Sequence, residues 1–156
     1  MLHLTPMEEI DYAPFMDLSL RDQAEGHVRE GRWTAEEAEA KMFKLQAQFL
    51  PQGLKTPGHF FFTLESETPK DKVGSLWFML DEHEGEKALF VMDIQIDPQH
   101  RRKGYGTEAF LLMEDKTREM GIHLITLHVF SDNTSAHAMY VKLGYNGPCD
   151  LMVKRI

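Results

Sequence analysis

The run Arg101-Arg102-Lys103-Gly104-Tyr105-Gly106-Thr107 constrains this chain more than any other segment. It follows Ala88–Ile96, a stretch rich in strand formers, and it opens a segment in which Phe110, Met113 and Met120 mark one helical face before Gly121. Strand, glycine-bearing turn and helix therefore meet within a few residues. Gly104 and Gly106 permit backbone conformations closed to other residues and let a ligand approach the main chain. The unpaired amides of a helix start point to the same place and carry the positive end of the helix dipole. Arg102 and Lys103 add full charges, so the turn reads as a cradle for phosphate or pyrophosphate. An ordinary strand-to-helix turn that happens to use glycine stays open on the local residues alone. The basic run stands out because the chain carries 17 Lys+Arg against 25 Asp+Glu, a net charge of −8.

The other elements fall into a mixed α/β order. Met1–Leu4 suits a short strand, and Asp11 suits an N-cap with Pro14 in the first turn of a helix that stops near Gly31. Thr34 and Glu37 make a capping box, and Ala38, Met42, Leu45 and Phe49 follow on one helical face until Pro51. His59–Leu64, Val73–Leu80 and Ala88–Ile96 read as strands, with Asp81–Glu86 as a solvated hairpin tip rather than a metal loop. After the helix from about Tyr105 to Met120 come a strand at Leu124–Phe130, a helix capped by Asn133 that runs to Leu143, and a last strand at Leu151–Ile156. The β-α-β of residues 88–130 is expected to be parallel and right-handed. With 156 residues and no linker or repeat, the chain is expected to form a single domain over 1–156.

Several function classes are disfavoured. A charge of −8 is wrong for a non-specific nucleic-acid or anionic-membrane binder. No apolar run reaches the ~18 residues of a spanning helix, and the acidic start MLHLTPMEEIDY does not read as a secretory signal. Cys149 is the single cysteine, and no Cys/His spacing resembles a metal site. A soluble cytoplasmic protein is expected. Gly104-x-Gly106-x-x-Ala109 formally fits the dinucleotide fingerprint, but the acid expected roughly 20 residues later is missing, and no P-loop string occurs.

In the turn and in two further segments the chain resembles the GNAT superfamily of acetyl-CoA-dependent N-acetyltransferases. The family signature [QR]-x-x-G-x-[GA] corresponds to Arg101-Arg102-Lys103-Gly104-Tyr105-Gly106. Ile94-Gln95-Ile96-Asp97-Pro98 is similar to the strand and turn that precede it. Asn133-Thr134-Ser135-Ala136-His137-Ala138-Met139-Tyr140-Val141-Lys142-Leu143-Gly144-Tyr145 is similar to the family's second motif. The resemblance implies a mixed, mostly antiparallel sheet flanked by helices and splayed between the fourth and fifth strands. Acetyl-CoA would lie in that opening, its pantetheine against the main chain of Ile94, Gln95 and Ile96. Its pyrophosphate would lie on Arg101, Arg102, Lys103, Gly104, Tyr105, Gly106 and Thr107, with Asn133, Ala136 and Lys142 completing the pocket.

The implied reaction is direct attack of an amine on the acetyl group in a ternary complex. Tyr140 matches the family tyrosine that protonates the departing sulfur; a phenol with a reference pKa near ~10 keeps its proton at neutral pH. Read without the family, it is a half-buried core residue. The base is less clear from sequence, because Phe90 and Met92 occupy the positions where the family often has Glu or His. Asp93 is the only acid of that strand; strict alternation turns it away from Met92, and a β-bulge would turn it back. His128 on the neighbouring strand is a further candidate. The acceptor is a small-molecule or protein amine recognised by the first half of the chain, where some of Trp33, Trp77 and the Phe60-Phe61-Phe62 run would line an apolar slot while most of them form core. The negative charge would favour a cationic amine, although solubility explains it equally well. A homodimer through the last strand fits the family. A non-catalytic acyl-CoA-binding sensor is the competing reading.

Overall fold

A computed structural model describes residues 1–156. Six strands lie in one sheet in chain order. They are β1 (Leu2–Pro6), β2 (His59–Glu67), β3 (Lys70–His83), β4 (Glu86–Ile96), β5 (Leu124–Leu127) and β6 (Met152–Arg155). The helices are α1 (Glu9–Arg29), α2 (Ala35–Phe49), α3 (Tyr105–Glu119) and α4 (Thr134–Lys142). β4 and β5 form the parallel pair, joined through α3, as a crossover requires. The result is the mixed α/β, mostly antiparallel sheet expected from the residues. No helix is long and apolar enough to cross a membrane.

The chain resolves into two compact units, Met1–Pro6 with Phe60–Ile156, and Met7–His59. The first holds the sheet, α3 and α4. Phe60, Phe62 and Leu64 alternate onto one sheet face with Leu76, Phe78, Leu89, Val91, Ile125 and Leu127, where Phe110 and Met113 of α3 join them. Phe78 stacks between the rings of Phe60 and Phe62, with centroids 5.4 and 5.6 Å away. Phe61 and Trp77 stack on the opposite face at 5.1 Å. Inside this unit α3 buries a charge: Glu114 is 1% exposed, accepts from Lys154 Nζ of β6 at 2.5 Å and from the Tyr145 hydroxyl at 3.5 Å.

The second unit is the helix pair. The Glu37 carboxylate accepts from the Thr34 amide at 3.1 Å, closing the capping box that starts α2. α1 differs from expectation. It starts at Glu9 after Glu8, whose carbonyl accepts from the Asp11 and Tyr12 amides. Asp11 is thus inside the first turn and not its cap, and Pro14 lies in the helix body, where its ring leaves one carbonyl without its usual donor.

Other boundaries also move. Asp81, Glu82 and His83 continue β3, and the hairpin turns on Glu84 and Gly85 alone, both with positive φ (50° and 80°). Such a turn matches the twist of the strands it joins. β5 stops at Leu127, before the expected Phe130, because β4 leaves it there.

Candidate functional site

The site begins with one extra residue. Trp77 pairs with Asp93 and Phe78 with Val91, so β4 carries Met92 as a bulge. The alternation changes phase at that point. Val91 opposite Phe78 and Ile94 opposite Leu76 both turn to the main core, although they are three residues apart. Asp93, opposite Trp77, turns to the other face. The bulge thus puts Asp93 on the face where strict alternation would not have put it. The Asp93 Oδ2 accepts from Gln95 Nε2 at 2.9 Å, as side chains two apart on one strand face permit.

The same bulge ends the pairing with β5. The parallel ladder has three rungs, Leu89–Ile125, Phe90–Thr126 and Val91–Leu127, and beyond them β4 runs on to Ile96 paired with β3 but not with β5. The Asp97 amide donates to the Val73 carbonyl at 2.8 Å. By the alternation of an antiparallel ladder, Gln95 and Asp93 also point their main-chain groups at β3, whereas Ile94 and Ile96 point theirs away, into the splay. Arg101 Nε donates to the Ile96 carbonyl at 3.0 Å. The opening expected between the fourth and fifth strands is therefore present, with main-chain groups of Ile94 and Ile96 on its wall. Gln95 contributes a side chain to Asp93 and not a main-chain edge to the opening.

The glycine turn sits at the end of that strand. Arg102 and Gly104 are both left-handed, with φ of 64° and 82°. For arginine that conformation costs about 1–2 kcal/mol, so the surrounding loop must hold it. Gly104 is the N-cap of α3, and the first bond inside the helix runs from the Glu108 amide to its carbonyl at 3.1 Å. The amides of Tyr105, Gly106 and Thr107 have no partner one turn back. A methyl at Gly104 would meet nothing within 4 Å, so the space beside this exposed glycine is open. Arg101, Arg102, Lys103 and Thr107 are exposed around it, while Tyr105 is half-buried against the core. Gly106 serves helix packing instead. A Cβ there would lie 3.0 Å from Met139 Sδ, so this glycine lets α4 pack close to α3.

α4 then positions Tyr140. The Asn133 side-chain oxygen accepts from the Ala136 amide at 3.2 Å, which caps the helix. Tyr140 is the buried residue of α4, 5.1 Å from the Phe110 ring and 6.2 Å from the Tyr145 ring. Burial pushes its hydroxyl pKa far up, and the negative charge of Asp93 pushes it further. The tyrosine and the aspartate singled out in the sequence are therefore close enough to feel each other. Lys142 is exposed in the last turn of α4, about 12 Å along the axis from the capped end. His128 is half-buried and meets the Phe130 ring edge-on at 4.9 Å.

Sequence reading missed two partners. One is Gln95 as a side-chain donor to Asp93, which the i, i+2 spacing on a strand could have suggested. The other is the contact of His100 with Asp71, for which a separation of 29 positions left no local signal.

The sequence pattern of the acetyltransferase (GNAT) family matches residues 19–145. The chain is 30% identical over 153 residues to the uncharacterized N-acetyltransferase YycN of Bacillus subtilis (strain 168), covering 98% of this chain and 97% of that protein. The crystal structure of YycN superposes with a TM-score of 0.85 over 100% of this chain and 99% of that one. Two more distant structures share the fold. The PaiA N-acetyltransferase of Thermoplasma acidophilum in complex with coenzyme A is 13% identical, with a TM-score of 0.65 over 100% of this chain and 99% of that one. The spermidine N-acetyltransferase of Vibrio cholerae in complex with CoA and spermine is 19% identical, with a TM-score of 0.63 over 99% and 92%.

Proposed function

The chain belongs to the GNAT acetyltransferase family, and on that premise we propose how its residues divide the work of moving an acetyl group to an amine. It is an N-acetyltransferase whose acetyl donor is acetyl-CoA. When bound, that donor supplies an activated carbonyl and a thiolate leaving group. The residues suit it: the open left-handed turn and the free amides of Tyr105, Gly106 and Thr107 would hold its pyrophosphate, with Arg101, Arg102 and Lys103 adding charge. Ile94 and Ile96 would hold its amide-bearing arm along the splay, and the Asn133–Ala136 end of α4 would border the pocket. We assign no contact to Lys142.

In this reading Tyr140 is the acid. Burial and the charge of Asp93 keep the proton on Oη at neutral pH. Once Asp93 has taken the amine proton that charge is gone, Oη gives its proton to the departing sulfur, and the proton on Asp93 returns through solvent to restore the phenol. Asp93 is the base that receives the proton of the attacking amine, with Gln95 bonded to the carboxylate oxygen Oδ2. The Ile96 amide, facing the splay, is the donor for the carbonyl oxygen. Direct attack in a ternary complex belongs to the same reading, with Asp93 near enough for its charge to act on Tyr140. The observation that carries the reading is the bulge at Met92, where the ladder to β5 ends and Asp93 changes face, together with the charge of Asp93 felt at the buried Tyr140.

The acceptor belongs to the same proposal: a small or protein amine, with a cationic one favoured by the net charge of −8. So do a cytoplasmic location, where the lone Cys149 stays reduced, and a homodimer. The test is thiol release from acetyl-CoA across small amines, polyamines, amino sugars and peptide α-amines, beside thermal shifts with coenzyme A and NADH. Stabilisation by coenzyme A and turnover of at least one amine are expected. Stabilisation by NADH but not by coenzyme A overturns the donor assignment. Coenzyme A binding without turnover of any class of amine leaves the sensor reading instead.

A further inference from the structure

The loop that enters the cradle is tied down at points outside it. Asp97 holds it to Val73 of β3 through the main chain, and the His100 amide donates to the Asp97 carbonyl at 2.8 Å. One residue further on, Arg101 is bonded to Ile96. A third tie is made by side chains alone: His100 Nε2 lies 3.0 Å from Asp71 Oδ2 at the start of β3. The imidazole is 13% exposed, whereas the aspartate is 54% exposed. The geometry is that of a close polar contact and not of an aligned hydrogen bond, and neither ring nitrogen has another partner. The ring's nearest aromatic neighbour is Tyr105, in the first turn of α3, with centroids 6.3 Å apart. His100 therefore stands between β3 and the start of the helix that supplies the cradle amides, two residues before the left-handed Arg102.

We propose that His100 and Asp71 form a latch that pre-sets the cradle for the pyrophosphate of coenzyme A, so that both are positioning residues for donor affinity. This rests on the reading that the cradle holds the donor. Arg102 keeps an unfavourable backbone conformation only while its neighbours over-determine it. Releasing His100 removes a side-chain tie to β3 two residues before it, and the loop must then be ordered when the ligand binds, at a cost in affinity. Chemistry at Tyr140 and Asp93 lies on other elements and should not change. Simple electrostatics gives the opposite sign. Asp71 is a negative charge near an anion site, so removing it would tighten binding if charge alone decided the outcome.

The test is calorimetric titration of coenzyme A into the wild type, Asp71→Asn, His100→Gln and the double variant, with KM for acetyl-CoA and kcat measured in parallel. Each single variant is expected to weaken coenzyme A binding about tenfold and to raise KM equally, with kcat within about twofold of wild type. The double variant should be no worse than the worse single, because one contact is lost in all three. Binding of Asp71→Asn at wild-type strength or tighter overturns the latch, as does an additive loss in the double variant. Thermal midpoints without ligand check folding, and Asp71→Ser replaces any variant that does not fold. A wild type that does not bind coenzyme A overturns the donor reading itself, whereas a binding wild type with unaffected variants removes only the latch.

Discussion

Tyr140 and Asp93 illustrate how a residue's surroundings decide its chemistry. A buried phenol keeps its proton through the neutral range, and a carboxylate nearby strengthens that preference for as long as the carboxylate is charged. Tyr140→Phe should bind acetyl-CoA as the wild type does and transfer acetyl at least ~10²-fold more slowly. A wild-type rate in that variant would remove Tyr140 from the proposed mechanism. Asp93→Asn keeps the shape and the bond to Gln95 while losing the base, and a rate loss of about 10²–10⁴ is expected with donor affinity retained. Steady-state kinetics separating kcat from KM checks both. At this scale the sequence was only partly legible. The motif offsets pointed to Tyr140, but the face taken by Asp93 depended on one inserted residue, which no alternation pattern reveals. Glu114 was hidden too, because a carboxylate on an amphipathic helix reads as solvated until Lys154 and Tyr145 arrive from far along the chain.

Among the elements, the α3–α4 contact matters most to the proposed site. Gly106 lets the two helices approach, and Met139, against which a side chain would press, directly precedes Tyr140. Gly106→Val must displace Met139, with a stability loss of about 1–3 kcal/mol. If α4 yields instead of the thioether, kcat should fall along with the unfolding midpoint. Gly106→Ala meets only a flexible thioether and should show a smaller change in both. Chemical denaturation and kinetics on the two variants measure these effects. The helices and strands were largely legible from periodicity and caps. The β3–β4 hairpin was not read to its full length, because Asp81, Glu82 and His83 are turn-like in composition yet simply occupy the solvent-facing end of a long ladder.

For the molecule as a whole, charge and ionisation set the working range. A local basic run on a chain of net charge −8 attracts an anionic donor at short range only. KM for acetyl-CoA should therefore rise with added salt, and Arg102→Gln should flatten that dependence. Alkaline stability follows from the tyrosines. Tyr140 and Tyr145 both have pKa values raised chiefly by burial, Tyr145 also by Glu114. A raised folded-state value means that the native protein holds these protons after the unfolded chain has released them. Their stabilising contribution is complete below about pH 10 and is lost as pH rises beyond it. Unfolding midpoints should fall above that pH, phenolate absorbance should rise together with unfolding, and Tyr145→Phe should make the fall shallower.

The three-rung ladder between β4 and β5 has a consequence for isotope exchange. The peptide hydrogens of Ile94 and Ile96 have no neighbouring strand to protect them, although they lie in the middle of a sheet. They should take up deuterium as quickly as a loop does and slow markedly once coenzyme A lies alongside. Those two positions would then report occupancy of the gap directly, with no acceptor amine and no turnover.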